Sequence, residues 1–219
     1  MQLTSYGHSC VLVEVADTRI LIDPGTFAVG WEDVRDLDAV LVTHAHPDHC
    51  DVDRLPALLA GNAGARVLAE ASTAADLREA GHDVEALASG TPVELGPVRV
   101  DPVGHRHAVI HEDIPRIDNA GVVLRAEGEP SLFHPGDALD ADPGQVDVLA
   151  VPVCAPWCAM KETVEFVRRI GAPAMIPVHD ALLSDVGREL FLRQVANLGA
   201  GDRGVGWTDL RGRGAVRVG

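Results

Sequence analysis

The stretch Ala39-Val40-Leu41-Val42-Thr43-His44-Ala45-His46-Pro47-Asp48-His49 decides the fold of this chain. Its first four residues form a continuous apolar run, which predicts a strand buried on both faces of a sheet. Pro47 disfavours helical geometry at the residue before it, so the segment after the strand is predicted to be a loop. Four side chains that can bind metals follow the strand within six positions: His44, His46, Asp48 and His49.

The spacing of these four residues predicts a metal site. Alternate side chains of an extended loop point the same way, so His44 and His46 can reach one ion. Asp48 and His49 follow the turn at Pro47 and can serve a second ion. Imidazole and carboxylate ligands suit zinc, manganese or iron better than calcium or magnesium. The alternative is a histidine-rich surface turn without metal, and the position directly after a buried strand counts against it.

The rest of the chain predicts a mixture of strands and helices. Strands are predicted at 10–16 and 19–22, joined as a hairpin, and at 39–42, 66–69, 98–103, 121–124, 146–151 and 174–178. Helices are predicted from a cap at Asp51 to residue 60, at 73–80, at 161–170, and from a cap at Ser184 to Gly199. In the last helix Leu190, Val195 and Leu198 are predicted to face inward. The length of 219 residues, without a recognisable linker, predicts one domain over residues 1–219.

Charge and composition limit the function classes. The chain has 18 basic and 33 acidic residues, a net charge of −15. This charge argues against binding to nucleic acid or to an anionic membrane, and favours a small-molecule substrate, which can itself be anionic beside bound cations. No membrane span or export signal is recognisable, and four cysteines are too few for a disulfide framework. A cytoplasmic location is therefore expected.

At residues 44–49 the chain resembles the metallo-β-lactamase superfamily, whose motif is H-x-H-x-D-H after a buried strand. Further elements similar to those of that family are present, one before this motif and three after it, in the order in which the family has them: Leu21-Ile22-Asp23-Pro24-Gly25, Gly104-His105-Arg106-His107-Ala108, Phe133-His134-Pro135-Gly136-Asp137 and Ile176-Pro177-Val178-His179-Asp180. The opening Tyr6-Gly7-His8-Ser9-Cys10 resembles the compact branch of metal-dependent hydrolases and ascorbate-6-phosphate lactonase-like proteins.

The resemblance implies an α/β (α+β) fold, a four-layer αββα sandwich with metals at one edge. It implies that two divalent ions are bound, zinc by preference and manganese or iron as alternatives. It also implies that Asp23 steadies the ligand loops. His105 is the rival of His107 as a ligand, and the family position favours His107. The implied ligands are His44, His46 and His107 for the first ion, Asp48, His49 and His179 for the second, and Asp137 between the two.

The implied reaction is hydrolysis of a small molecule by a metal-bound hydroxide. Two ions, the carboxylates of Asp48 and Asp137, and a bridging hydroxide sum to a charge of about +1, which suits a developing oxyanion. Asp48 is the expected catalytic residue, which orients the water or accepts its proton. A lactone or other ester is favoured as substrate, followed by a phosphodiester. The alternatives are an iron-dependent redox enzyme of the sulfur oxygenase type and a non-catalytic metal-binding protein.

Four other side chains are candidates for supporting roles. His8, His111 and His134 are expected to support structure or ligands more often than to react. Trp157 follows a predicted strand and is expected to line the substrate cleft.

Overall fold

A computed structural model describes residues 1–201 and 206–219. In these residues the strands form two seven-stranded sheets. The first sheet has the spatial order β14 (Val216–Arg217), β1 (Gln2–Gly7), β2 (Cys10–Val15), β3 (Thr18–Ile22), β4 (Ala39–Val42), β5 (Arg66–Glu70) and β6 (Glu85–Leu87). The second has the order β13 (Gly206–Trp207), β12 (Ala174–Val178), β11 (Val148–Pro152), β10 (Leu132–His134), β9 (Gly121–Arg125), β8 (Val98–Val103) and β7 (Val93–Leu95).

Helices cover the outer faces of both sheets. A short 3₁₀ helix (Trp31–Asp33), α1 (Leu55–Ala60) and α2 (Ala71–Glu79) pack on the first sheet. The second sheet is covered by α3 (Met160–Ile170) and α4 (Asp185–Ala200). The four-layer αββα prediction is thus confirmed. Within the part of the chain that the structure describes, no helix is both long and apolar enough to cross a bilayer.

Three hydrophobic cores fill the spaces between the four layers. Alternation along the strands assigns side chains to them, because successive residues of a strand face opposite sides of the sheet. In β2, Val11 and Val13 face the second sheet, whereas Leu12 faces the helices of the first. In β10 and β11, Phe133 and Leu149 pack toward α3 and α4. Both sheets therefore have two buried faces, as the continuous apolar runs predict.

The predicted hairpin is confirmed, because β2 and β3 pair antiparallel with Val15 opposite Thr18. The predicted cap at Asp51 is wrong by one turn, since α1 begins at Leu55. The Asp51 carboxylate instead accepts the backbone N–H groups of Asp53 and Arg54, both at 3.1 Å, and forms a turn before the helix.

The predicted inward face of α4 is partly wrong. Val195 is buried, but Leu190 and Leu198 are 41% and 46% exposed. The buried stripe of this helix contains Leu192 and Val195 together with Arg188, whose guanidinium pairs with two aspartates. A buried arginine was not expected, and the buried face that contains it differs from the face that Leu190 and Leu198 indicate.

Candidate metal centre

The predicted ligands meet at one edge of the sandwich because the strands before them run in the same direction. β1 and β3 are both antiparallel to β2, and β3 is parallel to β4, so β1, β3 and β4 all end at one edge of the first sheet. In the second sheet, β8 and β10 are both antiparallel to β9, and β10, β11 and β12 are parallel. The loops after these ends carry His8, Asp23, His44 to His49, His107, Asp137 and His179.

Eight side chains at this edge form two groups, in each of which one potential ligand atom per residue lies within 4.8 Å of the others. We call the eight together the His/Asp cluster. It contains all seven residues predicted as ligands, and it adds His8. The first group is His44, His46, His107 and Asp137, and the second is His8, Asp48, His49 and His179.

The carboxylate of Asp137 lies between the two groups. Its Oδ1 is 3.0 Å from Nε2 of His49. Its Oδ2 is 3.3 Å from Nε2 of His107 and 3.1 Å from Nε2 of His179. One carboxylate thus faces imidazoles of both groups, which is the position that a bridging ligand needs.

Backbone carbonyls orient two of the imidazoles. The Nδ1 of His107 is 2.6 Å from the carbonyl oxygen of Ala108, and the Nδ1 of His179 is 2.7 Å from that of Cys154. A carbonyl can only accept, so Nδ1 carries the proton in both rings. Each Nε2 then directs its lone pair into the cluster, the usual arrangement of a metal-binding histidine.

Asp23 and Thr43 orient two more imidazoles. The Nδ1 of His49 donates to Oδ2 of Asp23 at 2.7 Å, and the Thr43 hydroxyl donates to the same oxygen at 2.8 Å. Because the hydroxyl proton is used in that bond, the Thr43 oxygen accepts from Nδ1 of His44 at 3.0 Å. Asp23 therefore supports the ligand loop through its hydrogen bonds, the role that the sequence resemblance implies.

The cluster contains buried polar atoms without hydrogen-bond partners: Nε2 of His44, His49 and His107, and Oδ1 of Asp137. Leaving such an atom unpaired costs about 1–3 kcal/mol. All four atoms face the interior of the cluster, where a divalent ion can satisfy several of them at once. The donor set of imidazole nitrogen and carboxylate oxygen fits zinc, manganese or iron.

Burial and charge set the protonation of several cluster residues. Burial lowers the pKa of His44 well below its usual value and also lowers the pKa of His46, which keeps both lone pairs free. For Asp48, burial raises the pKa, but the hydrogen bond from His8 and the charge of His49 outweigh it and bring the pKa to about 2. Asp48 is therefore an anion at neutral pH.

Asp137 and His49 shift each other's pKa in opposite directions. Burial raises the pKa of Asp137, but the charge of His49 and the neighbouring imidazoles of His107 and His179 hold it well below its usual range. Burial lowers the pKa of His49, whereas the carboxylates of Asp137 and Asp23 raise it well above the usual value. The carboxylates thus favour a positive charge at this point in the cluster.

The loops adopt unusual backbone conformations at this edge. His8, Asp23 and His179 have φ angles of 52°, 50° and 57°, in the left-handed region that histidine and aspartate enter more readily than most residues. Gly25 is required for a different reason. A Cβ at this position would lie 1.8 Å from the carbonyl oxygen of Asp48, so the two loops approach too closely for any side chain.

The structure separates three other candidate histidines from the cluster. His105, the rival of His107, is exposed on the surface. His111 is also exposed, 3.5 Å from Asp113. His134 is buried, and its Nε2 donates to the carbonyl oxygen of Ser9 at 3.1 Å. These three residues fall outside both groups.

His8 is the cluster residue that the ligand prediction missed. Its Nδ1 accepts the backbone N–H of Ala181 at 3.4 Å, so its Nε2 carries the proton and donates to Oδ2 of Asp48 at 3.0 Å. Its position directly after β1 could have indicated that it lies in the cluster, because β1 ends at the same edge of the sheet as β3. The sequence prediction did not include β1.

The cluster is open on one side. Asp48 and His46 are half-buried, whereas the other six side chains are buried. A cavity of about 420 Å³ adjoins His8 and Phe27, and another of about 610 Å³ is lined by Trp157, Val109 and Phe166. Cavities of this size suit small molecules.

Comparison with known proteins gives consistent matches. The family described as a beta-lactamase superfamily domain matches residues 2–179. Protein Rv0786c of Mycobacterium tuberculosis is 42% identical over 90% of this chain and 92% of its own length. A UPF0173 metal-dependent hydrolase of Methylobacterium nodulans is 30% identical over 82% of this chain and 84% of its own. The structure of Igni18, a metallo hydrolase from Ignicoccus hospitalis, aligns with a TM-score of 0.76 at 19% identity, covering 98% of this chain and 97% of its own.

Proposed function

This chain belongs to the beta-lactamase superfamily, and we propose on that basis that it is a metal-dependent hydrolase of a small molecule. The observation that carries the proposal is the set of buried imidazole nitrogens that face Asp137 without hydrogen-bond partners. A purely structural histidine cluster pairs its polar atoms, because unpaired burial is costly. A cluster built to bind cations leaves those atoms free.

In the proposed site, His44, His46 and His107 would hold one ion, Asp48, His49 and His179 would hold the other, and Asp137 would be shared between them. Zinc is the preferred metal for this ligand set, with manganese and iron as alternatives. When bound, such ions supply an activated water as nucleophile and polarise the bond to be cleaved. The chain's own contribution is to hold these ligands, to keep the lone pairs of His44 and His46 free through the lowered pKa of both residues, and to admit substrate on one side.

Asp48 is the proposed catalytic residue. It is an anion with a pKa of about 2, and its Oδ2 accepts a hydrogen bond from His8. A carboxylate with so low a pKa is a weak base at neutral pH, so orientation of the attacking water is favoured over removal of its proton. Its partial exposure beside His46 supports the proposal that substrate reaches it from the open side of the cluster.

We favour a lactone or other ester as substrate over a phosphodiester. The exposed large apolar side chains Phe27, Val29, Val109, Ile114 and Leu182 all lie on loops that follow the site-forming strands. An apolar rim suits a substrate with a hydrocarbon part more than a nucleotide.

The four cysteines are all free thiols, which supports the proposed cytoplasmic location.

Metal analysis combined with a substrate panel tests the proposal. The full chain is loaded with zinc, manganese or iron, its metal content is measured, and hydrolysis of lactones, aryl esters, thioesters, phosphodiesters and β-lactams is assayed. We expect two ions per chain and hydrolysis of at least one carboxylic ester class. Asp48→Asn is expected to lower kcat by roughly 100-fold or more. The matched control is His111→Asn, an exposed histidine outside the cluster, which is expected to keep full activity.

Two outcomes would support the rival functions. Stoichiometric iron with oxygen consumption and no hydrolysis would indicate a redox enzyme of the sulfur oxygenase type. Two bound ions without turnover of any substrate class would indicate a non-catalytic metal-binding protein.

A further inference from the structure

The loop after β11 brings an indole to the centre of the His/Asp cluster. The Nε1–H of Trp157 donates to Oδ2 of Asp137 at 2.9 Å. The same ring lies edge-on to His107 and to His179, with centroid separations of 5.9 Å in both cases. Trp157 thus contacts one imidazole of each group and the carboxylate between them.

This hydrogen bond differs in kind from the other contacts of the Asp137 carboxylate. Among the described residues, the other nitrogens near its oxygens belong to imidazoles of the cluster. An imidazole whose Nε2 binds a metal can no longer donate a hydrogen bond from that nitrogen. With both ions bound, the indole of Trp157 is therefore the donor that remains to orient the carboxylate.

We propose that Trp157 is a positioning residue for the bridging carboxylate of Asp137. The inference rests on the proposed two-ion function and adds a residue to it. The indole suits this role because it donates one proton, carries no charge and does not titrate. A lysine or arginine there would neutralise the carboxylate and weaken its attraction for two cations.

The position of the indole is itself fixed by its loop. Ala155 and Cys158 pair as a β-bridge across a tight turn, which includes a hydrogen bond of 3.2 Å from the Cys158 N–H to the Ala155 carbonyl. The carbonyl of Cys154, in the same loop, accepts from Nδ1 of His179. One short segment therefore orients both a ligand of the second ion and the carboxylate shared by the two ions.

The test measures metal binding rather than turnover. Trp157→Phe keeps an aromatic ring and removes the donor, and Trp157→Leu removes both. Stepwise binding of zinc to the full chain is measured by competition with a chromogenic chelator, and the visible spectrum of the cobalt-loaded protein reports ligand geometry. We expect both variants to weaken both binding steps by about 10- to 100-fold and to alter the cobalt spectrum. Trp207→Phe, in β13 outside the cluster, is expected to match the unsubstituted chain.

The outcomes separate the inference from the function on which it rests. Unchanged affinity and spectrum in Trp157→Phe, with two ions bound, would overturn the role of the hydrogen bond while leaving the two-ion site intact. Weakening of a single step would show that Trp157 acts only by packing on one imidazole, which also overturns the inference. If the unsubstituted chain binds fewer than two ions, the proposed function fails first. Circular dichroism of both metal-free variants checks that each one folds.

Discussion

At the residue scale, Asp23 orients side chains of the His/Asp cluster through its hydrogen bonds. Asp23 accepts hydrogen bonds from the backbone N–H and the hydroxyl of Thr43 and from Nδ1 of His49. It thereby sets the orientation of His49 directly and that of His44 through Thr43. A carboxylate that accepts from an imidazole also makes the opposite nitrogen a better ligand. The residue thus orients one imidazole in each of the two groups without belonging to either group.

The shared position of Asp137 leads to a prediction about metal stoichiometry. Asp137→Ala removes the carboxylate that faces both groups, so occupancy of both ions should fall. His179→Ala removes one imidazole of the second group, so one ion should be retained. Elemental analysis after dialysis against a buffered low metal concentration measures both. Two retained ions in Asp137→Ala would contradict the bridging assignment, and His111→Ala is the control for a histidine outside the cluster.

The closeness of His44, His46, Asp48 and His49 could be predicted because closely spaced histidines after a buried strand have few structural explanations. The other members of the predicted set were implied by the resemblance to the family. The choice between His105 and His107 could not be made from their spacing, since residues two apart can point the same way. The chain after Gly104, whose φ is 75°, is irregular, and it exposes His105 while burying His107. The contact between Trp157 and Asp137 was beyond prediction, because it depends on how two loops from different strands meet.

Secondary structure could be predicted best where strands have two buried faces. β4, β5, β9 and β12 agree with the apolar runs to within one residue at either end. β1 was not predicted because most of its residues are half-buried. β6, β7, β10, β13 and β14 were not predicted because each has only two or three residues. The omission of β1 is the reason that His8 was not placed in the cluster.

Gly199 shows why a helix end could not be predicted from glycine alone. α4 continues through it to Ala200, and its Cα faces α3. A Cβ at this position would lie 2.7 Å from a methyl group of Val167. The glycine therefore allows two helices to pack closely and does not end the second one. Such a contact is a property of tertiary packing and leaves no local signal.

The close approach of two loops at Gly25 leads to a prediction at the scale of elements. Gly25→Ala places a methyl group against the backbone of Asp48, and neither backbone can move without displacing the loop of metal ligands. We expect a loss of stability of about 1–3 kcal/mol and weaker metal binding. Gly64→Ala is the matched control, since a Cβ there meets no atom within 4 Å. Urea unfolding and zinc titration of both variants provide the measurements, and equal behaviour of the two would contradict the argument.

At the scale of the whole molecule, the two sheets have the same pattern of strand pairing. Within residues 1–201 and 206–219, each contains three antiparallel pairs on one side and three parallel pairs on the other. The His/Asp cluster draws on both: His8, His44, His46, Asp48 and His49 come from loops of the first sheet, and His107, Asp137 and His179 come from loops of the second. Metal bound as proposed would therefore link the two sheets at the open edge of the core between them.

This placement predicts that metal stabilises the whole fold and not only the loops. A ligand that binds only the folded state adds about 2.7 kcal/mol for one site at a concentration 100 times its Kd. For a chain of this size, that gain corresponds to a rise in Tm of roughly 5–10 °C. Removal of metal by a chelator, followed by calorimetry with and without added zinc, measures it. Asp137→Ala should lose most of the zinc-dependent shift, because the carboxylate facing imidazoles from both sheets is gone. An equal shift in that variant would mean that zinc stabilises the chain from a site outside the cluster.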